Sequence, residues 1–432
     1  MEFKVRDDIN VRNRSLIDKK YKDYKKEDIA KFVAFYLDLI LSLKEDKIGV
    51  GFGLLTLPSV AFMLALHKSG KEYTLLFHKG DHNFEDKTIH CDKLFLVGAF
   101  GGGAKDIIDR LINTDPEQFI LTDTPEFEDL ALAYHRLDDL VFDYSKDKKT
   151  YVVIDKDVEL LYSTEKIEGN SILAAMDNYF HEDDYCVLTR PFSHFGVATL
   201  SIYPSFFKAK NITLCPFFSD WQEEYHNATH VHIDLKMMSG NCQLPKKLRM
   251  LTSGGYNFNS ECLNYVTSRS EIENIVDCFG TIFCPPPLAI KRLASNYQNL
   301  PFQWIHKFIK PLAIDEKLAF TSIEGDIFNN IRHSENGKIL TSDIIILDGA
   351  DFYFVGSAER FVRMNHVRYP AQIFEQLFRT RTGINDATLY YETVDHIENP
   401  VMLIPNAKDF ENANNFISEF QIEAKLKVGN ND

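Results

Sequence analysis

The 432-residue chain lacks most of the short patterns by which catalytic and metal-binding proteins are read. Its seven cysteines are odd in number and include no CxxC pair. That argues against a disulfide framework and predicts free thiols in a reducing compartment. There is no helix-type HExxH, no GxSxG nucleophile elbow and no complete GxGxxG or Walker A loop. An excess of basic charge is missing too: 48 Lys and Arg stand against 63 Asp and Glu, a net charge of −15. A pI near 5.4 speaks against an extended nucleic-acid surface. The opening residues carry charge throughout, with no apolar core of a signal peptide. Gly49 to Leu66 is free of charge, but Gly49, Gly51, Gly53 and Pro58 break it into a strand, a turn and a helix start rather than a membrane span. A cytoplasmic protein is the expectation.

What is present is core-forming material: 45% hydrophobic residues, and 34 Phe among 13% aromatics. Length alone suggests about two or three domains. Lys26 to Leu43 has helical apolar spacing. After it, short Val-, Ile-, Leu- and Phe-rich strands alternate with short helices, which implies α/β architecture with largely parallel sheets covered on both faces. Thr56 and Pro58 are read as cap and first-turn proline of a helix that Gly70 closes. Residues 300 to 356 have shorter strands and more turns, and a strand-plus-helix unit begins near 357.

Three Gly-rich turns follow strands. Gly49, Gly51 and Gly53 read as packing glycines, and Gly98 to Lys105 as a tight turn. The third, Leu251 to Phe258, gains meaning from its surroundings. Residues 186 to 281 run as a strand, a Pro-Phe-x-His turn, a helix, an aromatic-rich strand, ATHVHID, LRMLTSGGYNF and IENIVDCFGT. Further on come Thr341-Ser342-Asp343 and the segment from Asp351 to Leu377, with Gly356, Glu359, Arg363, Pro370, Ile373 and Glu375.

This ordered set resembles the adenylate-forming superfamily of acyl-CoA synthetases, peptide-synthetase adenylation domains and luciferases. The resemblance covers roughly 45 to 410. It implies a large N-terminal domain of parallel and mixed sheets covered by helices (1–355) and a small, shortened α+β C-terminal domain (356–432). It also implies an ATP-dependent ligase that activates a small carboxylate as acyl-AMP for a thiol or amine acceptor, with ATP and Mg²⁺ as cofactors. By resemblance, Gly254, Gly255 and Tyr256 line the adenine slot and Phe279 stacks on the base, followed by Gly280 and Thr281. Asp343 takes the ribose hydroxyls, His194 stands at the acyl pocket or acceptor tunnel, and Glu359 is the hinge, with Arg360 close by. Ser163, Thr164 and Lys166 form a shortened phosphate loop.

The sequence departs from the family's pattern at the phosphate end. Glu165 and Glu168 would face phosphates unfavourably. Phe279-Gly280-Thr281 runs into Ile282 and Phe283 where the family has a Mg²⁺-binding Glu, and no metal ligand is assigned. Ser357 replaces an Arg, and the usual Gly-Lys is absent after Glu375. A second reading therefore stands beside the ligase: a catalytically reduced homologue that binds a nucleotide, an acyl group or a protein. Homo-oligomerisation is left open.

The other clusters have plainer readings. His230 and His232 belong to a core strand rather than a zinc site, and Cys284 before three prolines marks a rigid turn. Cys262 and Cys278 are small buried hydrophobes. Asp183-Asp184 is a solvated turn, and Lys19 to Lys26 a solvated helix face.

Overall fold

The computed structural model describes residues 1–14, 20–44, 48–76, 91–97, 117–121, 139–144, 149–155, 158–163, 167–188, 195–216, 225–232, 245, 247–254, 274–281, 284–292, 300–314, 317–322, 334–335, 338–357, 361–364, 367–394 and 397–429. The chain divides into two compact units. One holds 1–78, 84–310 and 321–338; the other holds 79–83, 311–320 and 339–432.

The first unit contains a nine-stranded sheet. Its strands are β1 (Asn10–Arg14), β2 (Tyr21–Lys25), β3 (Tyr185–Leu188), β4 (Asn211–Leu214), β5 (His230–His232), β6 (Met250–Gly254), β7 (Asn274–Thr281), β8 (Cys284–Arg292) and β9 (Gln303–Trp304), in the order β9-β8-β7-β6-β5-β3-β4-β1-β2. The six from β7 to β1 are parallel, and β2, β8 and β9 are antiparallel additions. Strands such as IVDCF and YCVL are near-continuous apolar runs, as a sheet covered on both faces requires. Tyr21–Lys25 corrects the expected helix face: these residues pair with β1, and helix α1 (Lys26–Ser42) starts only after them.

A second sheet has six strands in the order Val158–Ser163, Lys149–Asp155, Tyr73–Leu76, Ile48–Phe52, Lys93–Val97 and Glu117–Leu121; all pairs but the first are parallel. The uncharged stretch from Gly49 resolves as expected, into the strand Ile48–Phe52 and helix α2 (Leu57–Ser69). Thr56 caps α2, Gly70 ends it with φ 75°, and all residues from Leu57 to His67 are buried. Being apolar all round therefore reflects a buried helix, not a membrane one. No described helix is long and apolar enough to cross a membrane. Asn13 of β1 accepts the Leu57 N–H at 3.0 Å, while Tyr36 of α1 meets Phe62 of α2 edge-on at 5.4 Å.

In the second unit, a hairpin (Phe361–Met364, Val367–Pro370), the helix Ala371–Thr382, the strands Thr388–Val394, Ile397–Ile404 and Lys425–Val428, and the helix Phe410–Glu419 enclose their own core. Val362, Met364, Phe374, Phe378, Met402 and Phe416 form its centre. Here Glu375 accepts the Leu389 N–H at 2.6 Å, so the carboxylate ties the helix to the sheet.

Candidate active site at the strand ends

In parallel sheets, ligands gather at the C-terminal ends of strands. The ends of β6 and β7 lie side by side, with Gly254 opposite Cys278. Thus Gly254, Phe279, Gly280 and Thr281, singled out from the sequence, are brought together on one edge. Gly254 is required by close approach: a Cβ there would lie 2.9 Å from the Cys278 carbonyl oxygen. Gly280 is required more strongly, because its Cβ would come within 2.3 Å of Pro286 Cβ.

Phe279 is buried and meets Phe302 edge-on, with ring centroids 5.6 Å apart. Two residues earlier on the same face, Asp277 stands opposite Lys291 of β8, and both are buried. Burial lowers the Lys291 pKa while Asp277 opposes the shift; the ammonium also sits 4.9 Å from the Phe302 centroid. Sequence reasoning missed this pair. A lysine closing the apolar run LAI, opposite a strand with a lone Asp, was the available signal.

Cys284 does not mark a turn: it opens β8, and Pro285, Pro286 and Pro287 lie within that buried strand. Burial raises the thiols of Cys278 and Cys284, so neither presents a thiolate.

Thr229 and His230 of ATHVHID belong to the opposite, N-terminal end of β5. Asp184 is only 1% exposed, which corrects the solvated-turn reading of Asp183-Asp184 for this residue. It accepts from Arg249 Nε at 3.0 Å, Thr229 Oγ1 at 3.0 Å and the His181 N–H at 2.7 Å. Burial alone would raise this carboxyl, but the facing His230 and Arg249 hold it well below the usual carboxylate range. His230 Nδ1 is 3.6 Å from Asp184, beyond hydrogen-bond length, and its Nε2 lies 3.3 Å from Thr252 Oγ1. Burial pushes the His230 pKa down against the pull of Asp184. His232 Nδ1 lies 2.9 Å from the same hydroxyl. This cluster pins the starts of β3, β5 and β6 together and, as expected, is core.

Asp343 lies in the second unit, within the strand Lys338–Asp348; it is 2% exposed and opposite Ser357. Its N–H donates to Thr341 Oγ1 at 3.1 Å, and that hydroxyl donates to the Leu318 carbonyl at 2.8 Å. Ser163 ends the strand Val158–Ser163. Thr164, Lys166, His194, Gly255, Tyr256, Glu359 and Arg360 lie outside the described residues. Among the described residues, no three His, Cys, Asp or Glu converge as a metal site.

No family model matches the sequence, and no curated protein does. Solved structures match over nearly the whole chain. The amide bond synthetase McbA from Marinactinospora thermotolerans superposes with a TM-score of 0.68 at 12% identity, covering 94% of this chain and 91% of its own. The o-succinylbenzoate CoA synthetase MenE from Bacillus subtilis, in complex with its acyl-adenylate intermediate, gives 0.59 at 12% identity, covering 94% and 90%. An ATP-bound RpMatB–BxBclM chimera gives 0.62 at 10% identity, covering 95% and 90%. The chain has the fold of the adenylate-forming enzymes.

Proposed function

We propose that the chain is an ATP-dependent adenylate-forming ligase for a small carboxylate. The observation carrying this reading is that Gly254, Phe279 and Gly280 stand together on one sheet edge in a chain whose fold is that of such ligases. The chemistry would run in two steps. The substrate carboxylate oxygen attacks the α-phosphorus of ATP, and pyrophosphate leaves with the displaced electron pair. A thiol or amine then attacks the acyl carbon, forming a thioester or amide, and AMP leaves. Both steps depend on positioning and on charge stabilisation.

In this reading the base lies beside Phe279 at the ends of β6 and β7, with Gly255 and Tyr256 continuing the slot. Asp343 accepts from the ribose hydroxyls. Ser163, Thr164 and Lys166 face the phosphates, His194 the acyl or acceptor site, and Glu359 and Arg360 the hinge between domains 1–355 and 356–432. For Mg²⁺ the described donor set does not fit: the strand end Phe279-Gly280-Thr281 offers no carboxylate. That same absence favours the second reading, binding without turnover.

ATP–pyrophosphate exchange over fatty, aromatic and amino acids separates the two. Exchange with at least one acid establishes the ligase, whereas calorimetric ATP binding without exchange supports the reduced homologue. If ATP neither binds nor exchanges, both nucleotide readings fail.

A further inference from the structure

The hairpin that carries Phe279, Gly280 and Thr281 is braced from outside the sheet. The pairing of β7 with β8 slips where it matters: Phe279 faces Ala289, yet Thr281 faces Cys284, so residues 285 to 288 of β8 stand opposite Gly280 alone. Residues 285 to 287 are prolines and supply no N–H, while their carbonyls, buried in a bulge, still need donors. Two hydroxyls from other elements meet that need. Ser171 Oγ, in helix α3 (Gly169–Asn178), donates to the Pro285 carbonyl at 2.6 Å. Thr199 Oγ1, in the π-helical turn Ala198–Ile202, donates to the Pro286 carbonyl. Both hydroxyls are fully buried. A third bond crosses the same seam in the other direction: His306, which follows β9, lies 3.3 Å through Nε2 from the Ile167 carbonyl just ahead of α3.

The consequence lies at Gly280. Pro286 presses on its Cα so closely that even a methyl group has no room. The place of Pro286 therefore sets the path of the backbone from Phe279 to Thr281, and the two hydroxyls set the place of Pro286. We infer that Ser171 and Thr199 are positioning residues for the nucleotide end of β7: they clamp the proline bulge against Gly280 and so fix where Phe279 and Thr281 stand. This rests on the nucleotide reading above and adds residues that no motif in the sequence marks.

The test is calorimetric ATP binding to the full chain, comparing wild type, Ser171→Ala, Thr199→Val and the double variant, each first shown by urea titration to be folded at the assay temperature. Loss of both hydroxyls leaves two buried carbonyls without donors, and the expected result is an ATP Kd raised about tenfold in the folded double variant. Thr199→Ser and Ser171→Thr keep a hydroxyl and should bind within about threefold of wild type on the same hydrogen-bond scale. A merely stabilising role would lower the urea midpoint and leave Kd unchanged, and that result overturns the inference. So does equal weakening by the hydroxyl-keeping variants. If the double variant does not fold, the single variants carry the same comparison. A wild type that binds no ATP overturns the nucleotide reading and this inference with it, whereas ATP binding unaffected by either hydroxyl overturns this inference alone.

Discussion

His306 offers a quantitative check on how the first unit is held together. Its Nδ1 accepts two backbone N–H groups, from Phe308 at 3.2 Å and Ile309 at 3.1 Å, and its Nε2 reaches the Ile167 carbonyl. Only the neutral ring with hydrogen on Nε2 satisfies all three, because a protonated Nδ1 cannot accept. Burial, opposed weakly by the Ile167 carbonyl, pushes its pKa down to about 4. With an unfolded value near 6.5, the unfolded chain takes up this proton first as pH falls. The stability due to a neutral His306 is thus fully present above about pH 6.5 and drains away towards pH 4. Linkage between those values gives a loss of about 2.5 kcal/mol from pH 7.5 to 4.5. Those two pH values also bracket the pI near 5.4, where low net charge promotes association. The comparison is with His306→Asn, whose side-chain oxygen can still accept near the Nδ1 position but does not titrate. Urea unfolding is followed by Trp304 fluorescence in a Trp221→Phe background, since the Trp304 indole N–H donates to the carbonyls of His306 and Ile309. His230 and Asp184 titrate alike in both proteins and cancel in the difference. Wild type should lose about 2.5 kcal/mol more than the variant. Equal losses would refute the claim that His306 is held neutral in the native state.

Three further outcomes follow from the same geometry. Gly280→Ala should destabilise the first unit by about 2 kcal/mol in urea, because the new methyl meets the rigid Pro286 ring; a change below about 0.5 kcal/mol would mean that the bulge yields freely. Asp184→Ala should cost about 3 kcal/mol by leaving the Arg249 Nε–H and the His181 N–H without their acceptor, and a double-mutant cycle with Arg249→Ala should recover part of that loss as coupling. Asp343→Ala should weaken ATP binding by about 1.5 kcal/mol, the scale of a charged hydrogen bond; unchanged calorimetric affinity would remove Asp343 from the nucleotide site.

The difference between what was legible in the sequence and what was not follows from the range of the interactions. Thr56, Pro58 and Gly70 announced α2 because caps act within one turn of the residue that makes them. The run IENIVDCFG announced a buried strand because alternation and apolar content are local as well. Gly254 and Gly280 were legible as special positions, but the reason for Gly280 was not: its constraint is Pro286, reached through a slipped register that no periodicity records. Asp184 was misread for the same reason. A turn sequence such as HEDDYC fixes the backbone of Asp183 and Asp184 alike, yet Asp184 is buried by Arg249 and His230, which come from strand starts more than forty residues away. The lysine-rich stretch before α1 follows the same logic. Its charges suit a solvated helix face, but Tyr21–Lys25 answer instead to β1, whose edge they extend as an antiparallel partner.

The site follows this rule in a more specific way. Its glycines and its aromatic ring were visible one residue at a time, while Ser171, Thr199, Lys291 and His306 reach Pro285, Pro286, Phe302 and Ile167 around them only through the fold. Ser171 and Thr199 look in sequence like ordinary helix hydroxyls, whose usual acceptor is a carbonyl in the preceding turn; Ser205 does just that with Ser201. What sets the first two apart is the proline run opposite, which strips N–H donors from β8 and leaves carbonyls that must be answered from elsewhere. Three consecutive prolines inside a buried strand are therefore a readable demand for outside donors, even where the sequence does not say which hydroxyls supply them.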